Sequence, residues 1–284
     1  MNKSVLKWVG IGAAAAGAGL LLCSRFFRDN YFFEINTYRI GDTNSKDLIR
    51  LVQLSDLHFK RSYSGFYKRL ARKVNELKPD LIIITGDMLD TDGLPWPLNR
   101  FFDQLDSHIP KAAVLGNHDH ASSVSLKTLK YICESHHCDL LINQSKKYQL
   151  GSKNIMVTGL DDMIKGLPSF SRAVQEVGLE DPHILLLHTP LQQESVQKEL
   201  KKINLERNTA HQVNISYIFA GHNHGGQIRF LNFAPVLPKK SGHYVNGWYN
   251  SHSPYLYVSK GIGTTALPFR FGARAEVAVF EYGV

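Results

Sequence analysis

The amino-acid sequence predicts an α/β protein with two packed β-sheets and helices on their outer faces. Short apolar runs typical of strands alternate with amphipathic, helix-like stretches as far as Asp139. After Asp139 the pattern changes to short strands separated by turn residues. One further strand–helix unit spans residues 183–203, and strands continue to the C-terminus. A chain of 284 residues that is 43% hydrophobic can bury one large core without dividing into two domains.

Each predicted element rests on its own residue pattern. The stretch 65–78 is predicted as a helix because Phe66, Leu70 and Val74 fall on one face at helical spacing. The run of leucine and isoleucine at 81–84 instead predicts a buried strand. By the same criteria we predict strands at 48–54, 80–84, 112–115, 139–142, 146–150 and 154–159, and helices at 65–78, 97–108 and 122–135.

Seven polar side chains follow the predicted strands in five separate blocks, and all offer an oxygen or an imidazole nitrogen as donor. They are Asp56, His58, Asp87, Asn117, His188, His222 and His224. Side chains at strand ends gather along one edge of an α/β sheet, where binding sites of such folds lie. The alternative, core histidines and turn-forming Asp-Gly pairs, would have to explain all five blocks at once. The sequence therefore predicts a metal centre.

The order D-x-H, G-D, G-N-H-D, H, G-H-x-H resembles the calcineurin-like metallophosphoesterase superfamily over residues 48–284. The resemblance implies a four-layer α/β sandwich of two mixed β-sheets flanked by helices. It assigns two metal ions: Asp56, His58 and His224 to one, Asn117, His188 and His222 to the other, and Asp87 to both. Oxygen and imidazole donors without thiolate fit Mn²⁺, Fe, Zn or Ni. The resemblance favours Mn²⁺.

The residues beside Asn117 are candidates for acid–base chemistry. His118 should face the phosphoryl group and protonate the departing oxygen or stabilise its charge. Asp119 is expected to orient that imidazole, a role compatible with capping the helix predicted at 122–135. His120 is expected to be an exposed neighbour, and the Asp161-Asp162 pair a turn rather than a set of ligands.

The C-terminal part narrows the resemblance to a bacterial, membrane-associated branch of the superfamily. The resemblance to this branch rests on Gly225-Gly226-Gln227-Ile228-Arg229 and on residues 257–271. That branch includes UDP-2,3-diacylglucosamine pyrophosphatases of the chlamydial type. It implies hydrolysis of UDP-2,3-diacylglucosamine to 2,3-diacylglucosamine 1-phosphate (lipid X) and UMP in lipid A biosynthesis. The alternative is a nuclease or broad phosphodiesterase acting on a non-lipid substrate. A non-catalytic scaffold would have lost ligands, and none of the seven is missing.

The N-terminal segment is predicted to be a hydrophobic anchor over residues 1–28, followed by the phosphoesterase domain over 29–284. Residues 8–23 are almost wholly apolar, close to the lower limit of the ~20 residues that span a bilayer. A cleaved signal peptide is the alternative, but three leucines at 20–22 follow the small residues where a cleavage site would be expected. Basic residues flank both sides, so the orientation stays open.

The net charge of +8 is concentrated near the first metal motif and favours an anionic partner, namely phospholipid head groups, a nucleotide or nucleic acid. Lys68, Arg69, Arg72 and Lys73 lie off the apolar face of the predicted helix 65–78. A solvated helix face is the alternative. We expect an anionic membrane surface and a phosphorylated, nucleotide-linked lipid substrate, and no nucleic acid. Three cysteines without a disulfide framework favour a reducing compartment, as for a cytoplasmic domain anchored at the inner membrane.

Overall fold

The computed structural model describes residues 3–231 and 233–284, and the side chains of the first helix from residue 16 onward except residue 18. Its helices are α1 (Lys3–Tyr31), α2 (Gly65–Glu76), α3 (Pro95–Gln104), α4 (Asn117–Ala121), α5 (Leu126–Ser135), α6 (Phe170–Ala173) and α7 (Gln193–Glu206). Its strands are β1 (Phe33–Gly41), β2 (Leu48–Leu54), β3 (Leu81–Thr85), β4 (Lys111–Val114), β5 (Cys138–Leu140), β6 (Gln144–Leu150), β7 (Lys153–Gly159), β8 (His183–Leu186), β9 (Tyr217–Ala220), β10 (Gly247–Tyr249), β11 (Tyr255–Val258) and β12 (Ala275–Gly283).

The strands form two mixed sheets of six strands each. The first has the order β1-β12-β2-β3-β4-β5, and the second has the order β10-β11-β9-β8-β7-β6. In the first sheet β2 to β5 are parallel, while β12 runs antiparallel to β2. In the second, β7, β8, β9 and β11 are parallel, with antiparallel edge strands β6 and β10. Parallel neighbours end at the same side of a sheet, and this brings their C-terminal loops together.

Three buried apolar clusters define four layers. Between the sheets, alternate residues of both meet, among them Leu51, Ile184 and Phe219. The opposite face of the first sheet packs on α2, α3 and α5, and the opposite face of the second packs on α6 and α7. Strands buried on both faces must be apolar throughout, as residues 81–84 are. The predicted α/β fold with two mixed sheets flanked by helices is confirmed.

Two predicted helices have shifted ends. The helix predicted at 122–135 begins only at Leu126, because Ser122 is extended and the Ser125 side chain accepts a hydrogen bond from the Thr128 amide at 3.1 Å; the short helix α4 precedes it. A serine in that position begins a new helix. The helix predicted at 97–108 begins at Pro95, since proline fits a first helical turn, and ends at Gln104.

The C-terminal end of α1 contacts the loop that precedes β12. Asn30 and Asp29 hydrogen-bond to the backbone of Arg270 and Gly272. The helix runs through the predicted boundary at residue 28 and ends at Tyr31. Among the helices of the described residues, none is both long enough and apolar enough to cross a membrane. The predicted membrane anchor is therefore not confirmed.

Candidate metal centre

The seven predicted ligands meet at one rim, where the C-terminal ends of strands from both sheets face each other. Asp56 and His58 follow β2, Asp87 follows β3, and Asn117 opens α4 after β4. From the second sheet, His188 follows β8, and His222 and His224 follow β9. Six of the seven are buried, and Asn117 is half-buried at the rim. The strand order places the blocks side by side.

The first group of donors consists of Asp56, His58 and His224. The Nε2 atoms of His58 and His224 lie 3.0 Å apart, and His224 Nε2 lies 3.4 Å from an Asp56 carboxylate oxygen. The three donor atoms fall within 4.8 Å of one another, a spacing that a single cation can fill. Two buried imidazole nitrogens and a carboxylate oxygen that face one another form a donor set suited to a cation.

The second group consists of Asp87, His188 and His222, with Asn117 beside them. His188 Nε2 lies 3.3 Å from Asp87 Oδ2, 3.2 Å from His222 Nδ1 and 3.2 Å from Asn117 Oδ1. Asp87 Oδ2 also lies 3.5 Å from His58 Nε2 in the first group. Asp87 therefore stands between the groups. A carboxylate has two oxygens and a negative charge, so it can bridge two cations.

The backbone at the ligands is held in an unusual conformation. Five of the seven have positive φ: Asp56 at 51°, His58 at 45°, Asp87 at 51°, His222 at 71° and His224 at 50°. Non-glycine residues rarely adopt this left-handed conformation, and it persists only where surrounding structure enforces it. This backbone conformation directs each side chain toward the rim within a few residues of the end of its strand.

Two glycines of the motifs are required by close packing around Asp87. A Cβ atom at Gly116 would overlap the Asp87 carboxylate, and one at Gly86 would lie 2.6 Å from His188 Nδ1. Gly86 also has a φ of +84°, which favours glycine. The glycine before each ligand in the G-D and G-N-H-D motifs thus leaves space for the ligands of the neighbouring strand.

Backbone carbonyls fix which nitrogen of two histidines faces the rim. His188 Nδ1 donates to the Thr85 carbonyl at 2.9 Å, and His222 Nε2 donates to the Lys239 carbonyl at 2.9 Å. The opposite ring nitrogen of each, Nε2 of His188 and Nδ1 of His222, therefore faces the other donors and is the atom available to a cation. Such outer contacts are typical of metal-ligating histidines, because they set the tautomer and the ring orientation.

Burial keeps three of the imidazoles unprotonated and ready to bind a cation. It lowers the pKa of His58 to about 4 and the pKa of His222 to about 4. It also lowers the pKa of His224 well below its usual value, helped by the neighbouring His58 and Arg270. A metal ligand must offer a lone pair, so a neutral ring at neutral pH is the form required.

The two carboxylates respond differently to their surroundings. Burial raises the pKa of Asp56 to about 6, since nearby Asp87 adds to the penalty for a second negative charge. Burial also opposes ionisation of Asp87, but protonated His188, whose Nε2 lies 3.3 Å from Asp87 Oδ2, holds the pKa of Asp87 below its usual range. Of the two carboxylates, Asp87 is therefore the one that stays ionised over the wider pH range. The donor set of carboxylate oxygens, an amide oxygen and imidazoles fits a dinuclear centre of divalent ions.

His118 lies at the centre without belonging to either ligand group of the predicted set. Its backbone amide donates to Asp87 Oδ1 at 2.8 Å, and its ring Nδ1 lies 3.1 Å from Asp90 Oδ1. Although burial disfavours the cation, the Asp90 and Asp87 carboxylates raise the pKa of His118. A half-buried imidazole held at one nitrogen, with a raised pKa, is suited to donate a proton from the other.

The carboxylate that orients His118 is Asp90, and the prediction that Asp119 does so is wrong. Asp119 is turned into the protein, where it accepts hydrogen bonds from the amides of Gly116 and Leu89, each at 2.9 Å. These amides lie at the start of α4 and beside β3, so Asp119 braces the ligand loops. It does not cap α5, where Ser125 has that role.

Asp90 is the site residue that sequence reasoning missed. Asp90 lies three residues after Asp87 in the same strand-end loop. A second carboxylate close to the G-D motif is the sequence feature that could have identified it. Its other oxygen lies 3.5 Å from Lys60 Nζ and 4.0 Å from His58 Nδ1. The interactions with His118 and His58 lower the pKa of Asp90 despite partial burial, so the group is anionic.

His120 also differs from expectation. It is partly buried rather than exposed, and its Nε2 lies 2.6 Å from Asp161 Oδ1. The Asp161-Asp162 pair forms a turn, as predicted. Asp161 accepts from the Leu167 amide, and Asp162 accepts from the amides of Ile164 and Lys165. This turn packs on the ligand loop through the Thr189 hydroxyl, which donates to Asp162 at 3.1 Å.

A cavity of about 370 Å³ opens directly beside the ligands. Asp87, Asn117, His118, His222 and His224 line its floor. Its walls come from the loops that follow β9 and β11, and most of them are apolar: Ile228, Pro235, Val236, Leu237, Pro238 and Leu267. A bound molecule would therefore place a polar group at the donors and an apolar group against the wall.

Comparison with known proteins places the chain among phosphoesterases. The sequence model of the calcineurin-like phosphoesterase family matches residues 49–226. The chain is similar to the uncharacterized metallophosphoesterase YkuE of Bacillus subtilis (strain 168), with 31% identity over 98% of this chain and 94% of that protein.

Other relatives are similar at lower identity. The uncharacterized protein YpbG of Bacillus subtilis (strain 168) is 27% identical over 98% of this chain and 97% of its own length. A bovine transmembrane protein with metallophosphoesterase domain is 27% identical over 82% of this chain and 52% of its own length. With all family motifs meeting at one rim, the chain belongs to the calcineurin-like phosphoesterase family and is a hydrolase of phosphoric esters.

Proposed function

We propose that the chain hydrolyses a phosphate ester or pyrophosphate carried by a lipid, with UDP-2,3-diacylglucosamine as the specific candidate. The products would be 2,3-diacylglucosamine 1-phosphate and UMP. The observation that carries the proposal is the apolar wall of the cavity beside the ligands, formed by residues such as Ile228, Leu237 and Leu267. A purely polar substrate such as a free nucleotide gains nothing from that wall, whereas acyl chains are stabilised by it.

The residues present fit a pair of divalent ions, and we propose Mn²⁺ for both. Asp56, His58 and His224 would hold one ion, Asn117, His188 and His222 would hold the other, and Asp87 would bridge them. When bound, the ions would activate the attacking water and stabilise the charge on the phosphoryl oxygens. The choice of Mn²⁺ rests on the family resemblance, since the donor types alone also accommodate Fe, Zn or Ni.

His118 supplies the proton for the leaving group in this proposal. It lines the cavity, and its Nδ1 is engaged by Asp90, so Nε2 is the atom that exchanges a proton with the departing oxygen. Asp90 fixes the ring orientation and favours the protonated form. Asp119 acts at a distance by bracing the loops that carry Asp87 and Asn117.

We also propose that the protein works at an anionic membrane surface, with the catalytic domain on the cytoplasmic side. Apolar side chains are exposed on α1 and on the loops around the cavity: Leu20, Leu21, Leu22, Phe26, Phe27, Phe230, Leu231, Phe233, Val236 and Leu267. These surfaces are joined, because Phe26 contacts Phe269 and Phe230 contacts Phe271 at ring centroid distances of 5.7 and 5.5 Å. Large exposed apolar areas typically mark interaction sites.

Basic residues beside this apolar surface support an anionic lipid partner. Arg28 and Arg69 are exposed, and Arg69 donates to the Tyr31 carbonyl at 3.0 Å, which places the basic face of α2 next to the end of α1. Each basic residue near an anionic bilayer contributes about 1 kcal/mol.

The substrate proposal predicts that a polar substitution in the cavity wall affects the lipid substrate selectively. In Leu237→Asn, KM for UDP-2,3-diacylglucosamine should rise by about tenfold or more, since a buried leucine contact contributes about 1.5–3 kcal/mol. Hydrolysis of a small soluble diester should be unchanged. The matched control is Leu205→Asn, which alters an exposed leucine of α7 that does not line the cavity. Both substrates would be assayed with Mn²⁺. Equal effects of Leu237→Asn on both would refute an apolar substrate.

The dinuclear assignment predicts that Asp87→Ala abolishes turnover while the fold persists. The bridging carboxylate is needed for both ions, and it lies at the rim rather than within the apolar core. Rates would be measured alongside circular dichroism and thermal unfolding. Activity above about a tenth of wild type in a folded Asp87→Ala protein would contradict the assignment.

The role of His118 predicts that His118→Ala lowers turnover by ~10²–10⁴-fold with its metal content preserved. His118 contacts Asp90 and lies at the cavity floor without being one of the seven assigned ligands. His108→Ala is the control, because that ring is almost fully exposed. Metal analysis of the purified variant checks the assignment, and loss of one ion per chain would make His118 a ligand instead.

The membrane proposal predicts that removal of residues 1–28 changes the rate of hydrolysis of a lipid substrate in vesicles but not that of a soluble substrate. All seven ligands remain, and so do Asp29 and Asn30, so a soluble phosphodiester should be hydrolysed at the full-length rate. Lipid substrate in anionic vesicles should be hydrolysed more slowly, and the remaining vesicle binding should weaken with added salt. Identical vesicle rates for both proteins would exclude a role of the segment in presenting lipid.

A further inference from the structure

Arg270 is the most unusual buried side chain outside the assigned ligands. It lies in the loop between β11 and β12, is 2% exposed, and is among the largest fully buried side chains of the described residues. Its hydrogen bonds are made to neutral groups. A buried guanidinium is costly unless every donor is satisfied. The position of those acceptors therefore indicates what the residue is for.

The acceptors of Arg270 are His224 of the first ligand group and three backbone carbonyls of the loop between β11 and β12. Nε and Nη2 donate to the Gly263 carbonyl at 2.9 and 2.6 Å. Nη1 donates to the carbonyls of Lys260, Ala273 and His224 at 2.8, 3.1 and 3.2 Å. Nη2 also lies 3.2 Å from His224 Nδ1, on the side of that ring opposite to Asp56 and His58. Both the backbone and the ring of His224 are thus held by one side chain.

Gly263 extends the same support to the D-x-H motif. Its amide donates to the Asp56 carbonyl at 2.7 Å, and the preceding amide of Ile262 donates to the Ser55 carbonyl at 2.9 Å. A Cβ atom at Gly263 would lie 2.9 Å from the Cβ atom of His58, so the two segments are in close contact. Arg270 therefore connects Asp56 and His58 to His224, which come from different sheets.

The end of α1 holds the peptide of Arg270 in turn. Asn30 pairs with it in both directions: its Nδ2 donates to the Arg270 carbonyl at 2.9 Å, and its Oδ1 accepts from the Arg270 amide at 2.8 Å. The adjacent Asp29, which is buried, accepts from the Gly272 amide at 2.8 Å. The N-terminal helix is thus connected to the first ligand group through two residues.

We propose that Arg270 is a positioning residue that shapes one of the two metal sites, the one formed by Asp56, His58 and His224, and that Asn30 of α1 fixes Arg270. None of the Arg270 hydrogen bonds reaches Asp87, His188 or Asn117. Loss of an outer contact typically weakens metal binding by about 10–100-fold. Here the loss should be confined to a single site. The inference rests on the dinuclear centre of the proposed function.

The test is titration of metal-free protein with Mn²⁺ alone, followed by calorimetry and by the electron paramagnetic resonance signal of a coupled Mn²⁺ pair. Wild type should bind two ions. Arg270→Lys should keep one site at wild-type affinity, weaken the other by about 10–100-fold, and lose the coupled signal. Arg207→Lys is the matched control, because Arg207 likewise donates to several backbone carbonyls, those of Val174, Gln175, Val177 and His211, but contacts no candidate ligand.

A second set of variants identifies which site is affected. In a His58→Ala background the first site is already lost, so Arg270→Lys should change Mn²⁺ binding no further. In a His188→Ala background it should weaken the one remaining site. Such non-additivity is the signature of residues that act on the same site. A general loss of folding would instead affect both backgrounds equally.

Asn30→Ala keeps the test decisive even if Arg270→Lys folds poorly. It removes both hydrogen bonds to the Arg270 peptide and leaves the guanidinium in place, so it should weaken the same site by a smaller factor. If both variants bind two ions at wild-type affinity, or if both sites are weakened equally, the role of Arg270 is refuted and the dinuclear centre is not. A wild-type protein that binds a single Mn²⁺ would overturn the dinuclear centre as well.

Discussion

The structure depends on the convergence of buried donors at the rim where the two sheets meet. Two carboxylates and four imidazoles are withdrawn from water there, with His58 and His224 nitrogens 3.0 Å apart. Such burial is unfavourable unless the groups are paired or bind metal. Only a rigid frame can hold them, and the frame consists of parallel strands whose ends are fixed by the apolar core between the sheets.

The local backbone responds to the same constraint. Five ligands have positive φ, because a side chain must turn toward the rim within one or two residues of its strand. The glycines beside them leave room for the neighbouring ligand loop rather than serving flexibility, as the overlap of a Cβ at Gly116 with Asp87 demonstrates.

The loops around this rigid centre differ from it in composition. The cavity wall comes from long loops after β9 and β11 and is apolar, whereas the floor is made of ligands. The loop after β9 contributes to both, with His222 and His224 on the floor and Ile228 and Leu237 on the wall. Arg270 joins them, since its loop carries part of the wall while its guanidinium reaches His224.

The sequence by itself determined the mixed α/β fold and identified seven candidate ligands, which the structure brings together at one rim. Apolar runs identify strands, and a ligand one or two residues beyond a strand has its place fixed by that strand. Tertiary structure alone decided the outer contacts. His118 has Asp119 next to it in sequence, yet Asp90 holds its ring, because Asp119 points inward to the amides of Gly116 and Leu89. Arg270 binds groups 7 and 46 residues away, and Asn30 lies 240 residues from it. No local pattern encodes such separations, since they depend on how two sheets and a helix pack.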